Sequence, residues 1–213
     1  MANTYSPFGF RPFGQVEGTA PTAGMERLFL ASSDPNLYFT GDVVCQSSAS
    51  LTTNPNTISL WAPSSGYIPA GVFVGCEYYN PSVGRQIWSA YYPGNVTSSL
   101  IYNAYVITNP QQLFIAQAST TGGVVGSSMI GWGITIATSG QATGNTTTGQ
   151  SNVALASSVT SIQSTTSPFR VVDVYSNFAP PGVNGTSTGS EGGAILVVKP
   201  NNWLRANLQS AST

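Results

Sequence analysis

The sequence predicts an all-β protein, a jelly-roll-like sandwich or barrel that carries an extended N-terminal arm. About ten short runs rich in Val, Ile, Tyr, Phe and Thr are separated by Gly, Pro and Asn, a pattern typical of strands joined by turns. The pattern contains no long amphipathic helix, so it lacks the crossover helices of a parallel α/β fold. The 213 residues, 41% of them apolar, suffice for one β-domain with its own core.

Residues 1–24 form the predicted arm, because recurring prolines and glycines exclude a helix there. In an extended chain, Phe8 and Phe10 project to the same side. Two phenylalanines on one face need a covering surface, which is either the protein's own body or a neighbouring molecule. The sequence favours neither of these two covers.

Residues 25–200 form the predicted β-domain, in which apolar runs end at turn residues. Pro69 and Gly71 indicate a bulge or bend inside one long run. Asn109 and Pro110 mark a turn. The predicted strand runs are 26–31, 36–40, 42–46, 56–62, 66–79, 84–92, 101–108, 112–118, 124–138, 169–176 and 193–199.

Within this domain, residues 139–167 are small, polar and uncharged. They predict a long loop, which carries at most one strand or helical turn near Leu155 to Ile162. Loops of this length are uncommon in compact domains unless they have a role. A second turn region is predicted at 180–193.

Residues 201–213 form the predicted C-terminal tail, in which Trp203 and Leu204 lie beyond the last strand run. Chain ends usually fray unless something holds them. Apolar side chains outside the body at both ends of the chain therefore predict contacts with other protein. On this argument, Trp203 and Leu204 are candidate assembly contacts.

Charge argues against several classes of partner. Only 6% of the residues are charged, against roughly 25% in an ordinary soluble domain. The six cations are scattered and the net charge is −1, so we expect no nucleic-acid partner and no membrane attachment. The N-terminus has neither the basic nor the apolar region of a signal peptide, and no apolar run approaches the ~20 residues of a membrane span.

The residue types that the chain contains also argue against catalysis. The chain contains no histidine, which removes the commonest general base and the usual catalytic zinc ligands. The seven acidic residues form no close pair in sequence, so a glycosidase dyad would need two distant acids to meet in the fold. We therefore predict that the protein is not an enzyme, with no catalytic residue, no metal site and no cofactor.

The two cysteines, Cys45 and Cys76, each lie inside an apolar stretch. A disulfide and two buried thiols are both compatible with this placement. Nothing indicates an oxidising compartment, which favours the thiols.

Two adjacent tyrosine pairs, 78–79 and 91–92, lie in predicted strands. Adjacent strand residues face opposite sides, so each pair is predicted to bury one ring and present the other. A presented tyrosine is suited to sugar or protein binding, although ordinary packing is the favoured interpretation.

A series of stretches combines an arm, a first strand and a Gly-Asp turn with apolar strands in a distinctive order. They are PFGFRPFG (7–14), ERLFLA (26–31), TGDVV (40–44), GVFVGCEYYNP (71–81), AYVIT (104–108), LFIAQA (113–118), FRVVDVYS (169–176) and GAILVVKPNNW (193–203). In this combination the chain resembles the capsid decoration, or cement, proteins of tailed bacteriophages. The resemblance covers most of the chain but not residues 139–167.

The resemblance implies a structural virion protein that is made in the host cytoplasm and lies on the outer surface of the capsid. It implies a homotrimer that stabilises the shell by bridging subunits of the major capsid protein. It also makes the arm residues candidate contacts with the shell or a sister subunit, namely Phe8, Phe10, Arg11, Pro12 and Phe13. The alternative is a receptor- or glycan-binding β-module of a phage tail or surface fibre.

Overall fold

The computed structural model describes residues 6–16, 18, 24–31, 34–46, 56–96, 102–119, 129–137, 141–159, 166–175 and 194–207. Over these residues the predicted all-β fold is confirmed, with one short helical turn near the C-terminal end. Two six-stranded antiparallel sheets form a sandwich, and two further pairs of strands form small ribbons. Within the described part of the chain the sheets do not close into a barrel.

Most of the strands are short, between two and six residues long. In chain order the elements are β1 (Arg11–Gln15), β2 (Met25–Leu30), β3 (Tyr38–Phe39), β4 (Val43–Gln46), β5 (Ile58–Leu60), β6 (Pro69–Asn80), β7 (Arg85–Ser89), β8 (Tyr91–Tyr92), β9 (Tyr102–Ile107), β10 (Gln112–Gln117), β11 (Gly133–Ile136), β12 (Gly144–Asn145), β13 (Gln150–Ser151), β14 (Leu155–Val159), β15 (Phe169–Val174), β16 (Ile195–Pro200) and α1 (Leu204–Asn207).

Sheet A has the strand order β1, β10, β16, β15, β11, β14, so the N-terminal arm supplies one of its edge strands. Side chains alternate between its two faces, as the pleat requires. In β10, Phe114 and Ala116 are buried, while Leu113 and Ile115 are half-buried on the opposite face. The arm is therefore continuous with the sandwich rather than separate from it.

Sheet B has the order β2, β9, β6, β4, β5, and the long strand β6 also pairs with β7. The sheet is curled, so that the strands at the two ends of this order approach each other. Phe29 of β2 forms a parallel bridge with Thr57, just before β5. The predicted bulge in β6 is confirmed: the consecutive residues Val44 and Cys45 pair with Gly71 and Pro69, which leaves one residue of β6 unpaired.

Two buried clusters result from this arrangement. The first lies between the sheets and takes side chains from sheet A together with Val43, Val72 and Ile107 of sheet B. The second lies inside the curl of sheet B, around Phe73 and Val106. Sheet B is thus covered on both faces over much of its length, which explains its near-continuous apolar runs.

The described part of residues 139–167 holds more structure than the predicted loop, because strands β12 and β13 pair as a small ribbon. The strand predicted near Leu155 to Ile162 is confirmed as β14, which joins the edge of sheet A beside β11. Val153 and Leu155 are fully buried in the cluster between the sheets, and this apolar anchor orders an otherwise polar segment. Residues 160–165 and the turn region predicted at 180–193 lie outside the described residues.

Two other predicted runs are shorter than expected. The run 84–92 divides into β7 and β8, with Ala90 between them. The run 124–138 contributes β11, and its first part lies outside the residues that the structure describes.

Candidate functional site

The arm is anchored on the protein's own body through Gly9 and Phe10. The amide of Gly9 donates to the carbonyl of Val153 at 3.2 Å, and the amide of Phe10 donates to the carbonyl of Gly41 at 3.0 Å. The backbone passes so close to Gly41 that a Cβ there would lie 2.8 Å from the Phe10 nitrogen, and Gly41 has a φ of +99°. Only glycine satisfies both conditions without strain.

Phe10 completes an aromatic group inside the main core. Its ring stacks on Phe169 with a centroid distance of 4.5 Å and meets Phe114 edge-on at 6.3 Å. Only 1% of Phe10 remains exposed. Of the two covers that the sequence left open for this side chain, the structure supplies the protein's own body.

A buried carboxylate holds the segments beneath the arm together. Oδ2 of Asp42 accepts from the amide of Phe39 at 2.8 Å, and Oδ1 accepts from the hydroxyl of Ser151. The same hydroxyl oxygen accepts from the amide of Val153 at 2.9 Å. Burial raises the pKa of Asp42 to about 7, against the opposing effect of these hydrogen bonds.

The part of the arm beyond Phe10 is presented rather than buried. We call Arg11, Pro12, Phe13 and Val16 the arm edge, since they lie in or next to the edge strand β1. Phe13 and Val16 are 45% and 46% exposed, and Arg11 and Pro12 are also exposed. The Arg11 guanidinium lies 5.2 Å from the centroid of the half-buried Phe8 ring, a cation–π contact.

The tail residue Trp203 joins the same aromatic group as Phe10. Its ring lies 5.8 Å from Phe114 and 5.7 Å from Phe169, and it is fully buried. Leu204 is half-buried. Within the single chain, Phe10 and Trp203 are thus core residues and not exposed contact surface.

Phe8, Arg11, Pro12, Phe13 and Leu204 are the predicted contacts that remain at least partly exposed. Phe13 has a partner of its own, because its ring meets Tyr175 edge-on at 5.4 Å.

The face of sheet B that points away from the second cluster carries a further group of side chains, beyond its part in the cluster between the sheets, that sequence reasoning missed. Cross-strand pairing places Trp88 opposite Glu77, and Glu77 opposite Asn103. The next row pairs Tyr105 with Arg27. We call these five residues the Trp88 platform. The run 84–92 identified a strand, but its register against β6 is not readable from the sequence, because it depends on the intervening turn.

The structure confirms that each tyrosine pair buries one ring, but the other ring is not presented as predicted. Tyr78 and Tyr92 are buried in the second cluster, and the half-buried Tyr79 packs against the same cluster. Tyr91 is also half-buried. Tyr91 stacks on Phe39 at 5.7 Å and is therefore engaged in packing.

The two cysteines are free, buried thiols, so the disulfide alternative is wrong. Burial raises the pKa of both, to about 12 for Cys76. Thiols in this state are poor nucleophiles, since the thiolate is the reactive form.

Comparisons with protein-family models, with curated proteins and with solved structures found no match. Over the described ranges, no group of three or more His, Cys, Asp or Glu side chains is placed to hold a metal ion. None of the helical structure in those ranges is long and apolar enough to cross a membrane. The resemblance to capsid decoration proteins therefore rests on sequence motifs alone.

Proposed function

We propose that this chain is a structural virion protein that decorates a bacteriophage capsid and bridges its major capsid subunits as a homotrimer. The motif resemblance and the charged fraction of 6% support the proposal. Low charge suits a surface that other protein will cover, because burying an unpaired charge at an interface is costly.

The observation that carries the proposal is a contrast within the arm. Phe10 is fixed in the core, whereas Phe13 and Val16, a few residues further on, are 45% and 46% exposed. An apolar group on a strand that is already ordered binds with less loss of conformational entropy than one on a loose tail. The arm edge therefore suits a protein partner.

The way in which the arm edge makes contact follows from Pro12. This residue lies in the edge strand β1 and has no backbone N–H to donate. Proline on an edge strand hinders the addition of a further strand. We therefore expect the contact to run through side chains, with Phe13 and Val16 at its apolar centre. Three such contacts in one trimer would add up by multivalency.

Binding to phage heads stripped of their own decoration protein tests the proposal. The wild-type protein should cosediment with the heads, and light scattering should give about three times the 22.1 kDa chain mass. The double variant Phe13→Ser with Val16→Ser should keep its fold and lose binding. Val83→Ser is the matched control, since Val83 is 55% exposed but lies in the turn between β6 and β7.

Two results would contradict this reasoning. A wild-type monomer that leaves the heads unbound would overturn the proposed function. Equal binding by the arm double variant and by the Val83→Ser control would overturn the assignment of the contact to the arm edge.

A further inference from the structure

The Trp88 platform is a continuous group on the face of sheet B that points away from the second core cluster. Strand alternation makes this explicit: Cys76 and Ala104 point into the cluster, whereas their neighbours Glu77 and Asn103 point out. Trp88, on the edge strand β7, lies opposite Glu77 of β6. The side chains of Trp88, Glu77 and Asn103 therefore form one row across the sheet. Tyr105 and Arg27 form the adjoining row.

The indole of Trp88 packs against the backbone of Gly75 in the neighbouring strand β6. A Cβ on Gly75 would lie 2.9 Å from Cζ2 and 3.2 Å from Cε2 of the indole, so the benzene edge of the ring lies directly over the backbone there. Even so, Trp88 is 61% exposed, the largest exposed fraction among the large apolar side chains of the described residues. The indole is therefore supported from below and open to solvent above.

Polar groups adjoin the indole in a fixed arrangement. Nδ2 of Asn103 donates to Oε2 of Glu77 at 3.1 Å. Glu77 and Arg27 both lie close enough to the phenol of Tyr105 to act on it electrostatically. The platform thus contains one acid and one base, and the amide of Asn103 holds the carboxylate of Glu77 in place.

This combination matches the chemistry of a neutral sugar. A pyranose ring has an apolar face of C–H groups, which packs on an aromatic ring, and a rim of hydroxyls, which both donate and accept. Amide and carboxylate side chains present adjacent acceptors and donors that suit such hydroxyls. The platform has a single cation, which is too few for a phosphate backbone.

We propose that the Trp88 platform binds a neutral glycan, with the indole as the stacking surface and with Glu77 and Asn103 as the hydrogen-bonding partners of its hydroxyls. The proposal is independent of the proposed capsid function. The arm edge belongs to sheet A and the platform to sheet B, so each surface can be removed without the other.

Titration with a panel of neutral oligosaccharides tests the site. The panel comprises cello-, malto-, manno- and galacto-oligosaccharides, with isothermal titration and tryptophan fluorescence as readouts on the full chain. At least one member should bind and shift the fluorescence. Trp88→Ala should weaken that binding by about tenfold or more, since a stacked aromatic ring contributes roughly that much to affinity. Asn103→Ala should weaken it to a smaller degree.

Three further variants keep the test interpretable. Val83→Ala changes a side chain of comparable exposure on the same β6–β7 hairpin and should bind as the wild type does. Trp88→Tyr keeps an aromatic surface and should retain part of the affinity. Phe13→Ser with Val16→Ser should bind the sugar unchanged, which separates this site from the arm edge. Circular dichroism checks that each variant is folded.

Two outcomes would overturn the proposal. The first is that no oligosaccharide of the panel binds to the wild-type protein. The second is that the folded Trp88→Ala variant binds as tightly as the wild type.

Discussion

Asp42 should make the stability of this protein fall as the pH rises towards neutrality. The carboxyl is fully buried, and burial raises its pKa from 3.8 to about 7. Between those two values, the folded protein keeps the proton and the unfolded chain has released it. A rise in pH therefore favours unfolding over this window, and the effect ends above the folded-state pKa.

The size of the effect follows from the shift in pKa. The difference between 3.8 and about 7 spans roughly 3 pH units, and each unit corresponds to about 1.4 kcal/mol of unfolding free energy. The wild type should lose ~4 kcal/mol between pH 4 and pH 8 through this one group. In a domain of this size, that corresponds to a fall in Tm of roughly 8–16 °C.

The variant Asp42→Asn isolates the contribution of this ionisation to the pH dependence of the unfolding free energy. An asparagine has the same shape, accepts from the amide of Phe39 through Oδ1, and donates to Oγ of Ser151 through Nδ2. The other six acidic residues are the same in both proteins, so the difference between the two curves reports on position 42. Urea unfolding at half-unit steps from pH 4 to pH 8 should give a wild-type curve that falls by ~4 kcal/mol relative to the variant. Two parallel curves would refute the reasoning.

Three other perturbations test the packing. Phe10→Ala should lower the unfolding free energy measured in urea by about 3–5 kcal/mol, because it leaves a cavity in the core. The control Phe13→Ala, at an exposed position, should change the unfolding free energy by less than about 1 kcal/mol. Gly41→Ala should destabilise by more than about 1 kcal/mol, since a Cβ would meet the Phe10 nitrogen at 2.8 Å, and a neutral result by the same assay would contradict that contact. Cys45 and Cys76 should resist a thiol reagent in the native protein and both react in guanidinium; rapid native labelling of either would contradict their burial.

The fold class is readable from the sequence because strand runs and turn residues are local signals. The bulge at Pro69 is an example, since it lies within the strand that it distorts. The fate of the arm is not local. Phe10 finds its cover on Phe169 and beside Trp203, at the other end of the chain. No pattern within residues 1–24 specifies that cover.

The Trp88 platform illustrates a second limit. Its members come from four strands, β2, β6, β7 and β9, and meet only through the registers of three pairings. A shift of one residue in β7 would turn Trp88 to the opposite face. Composition alone also predicted too little structure in the part of 139–167 that precedes Leu155. Val153 lies in the core there, although most of its neighbours in sequence are polar.

The shared aromatic group of Phe10, Phe169 and Trp203 sets an order of events during synthesis. The first strand is made before its partners, and its anchoring ring meets Phe114 of β10 first in chain order. The ring of Phe169, on which Phe10 stacks, and the neighbouring ring of Trp203 follow only with the last strands. Contacts between such distant parts of a chain form late in folding. The exposed side chains of the arm edge therefore take their final positions only on a finished molecule, so an incomplete chain would not display them correctly.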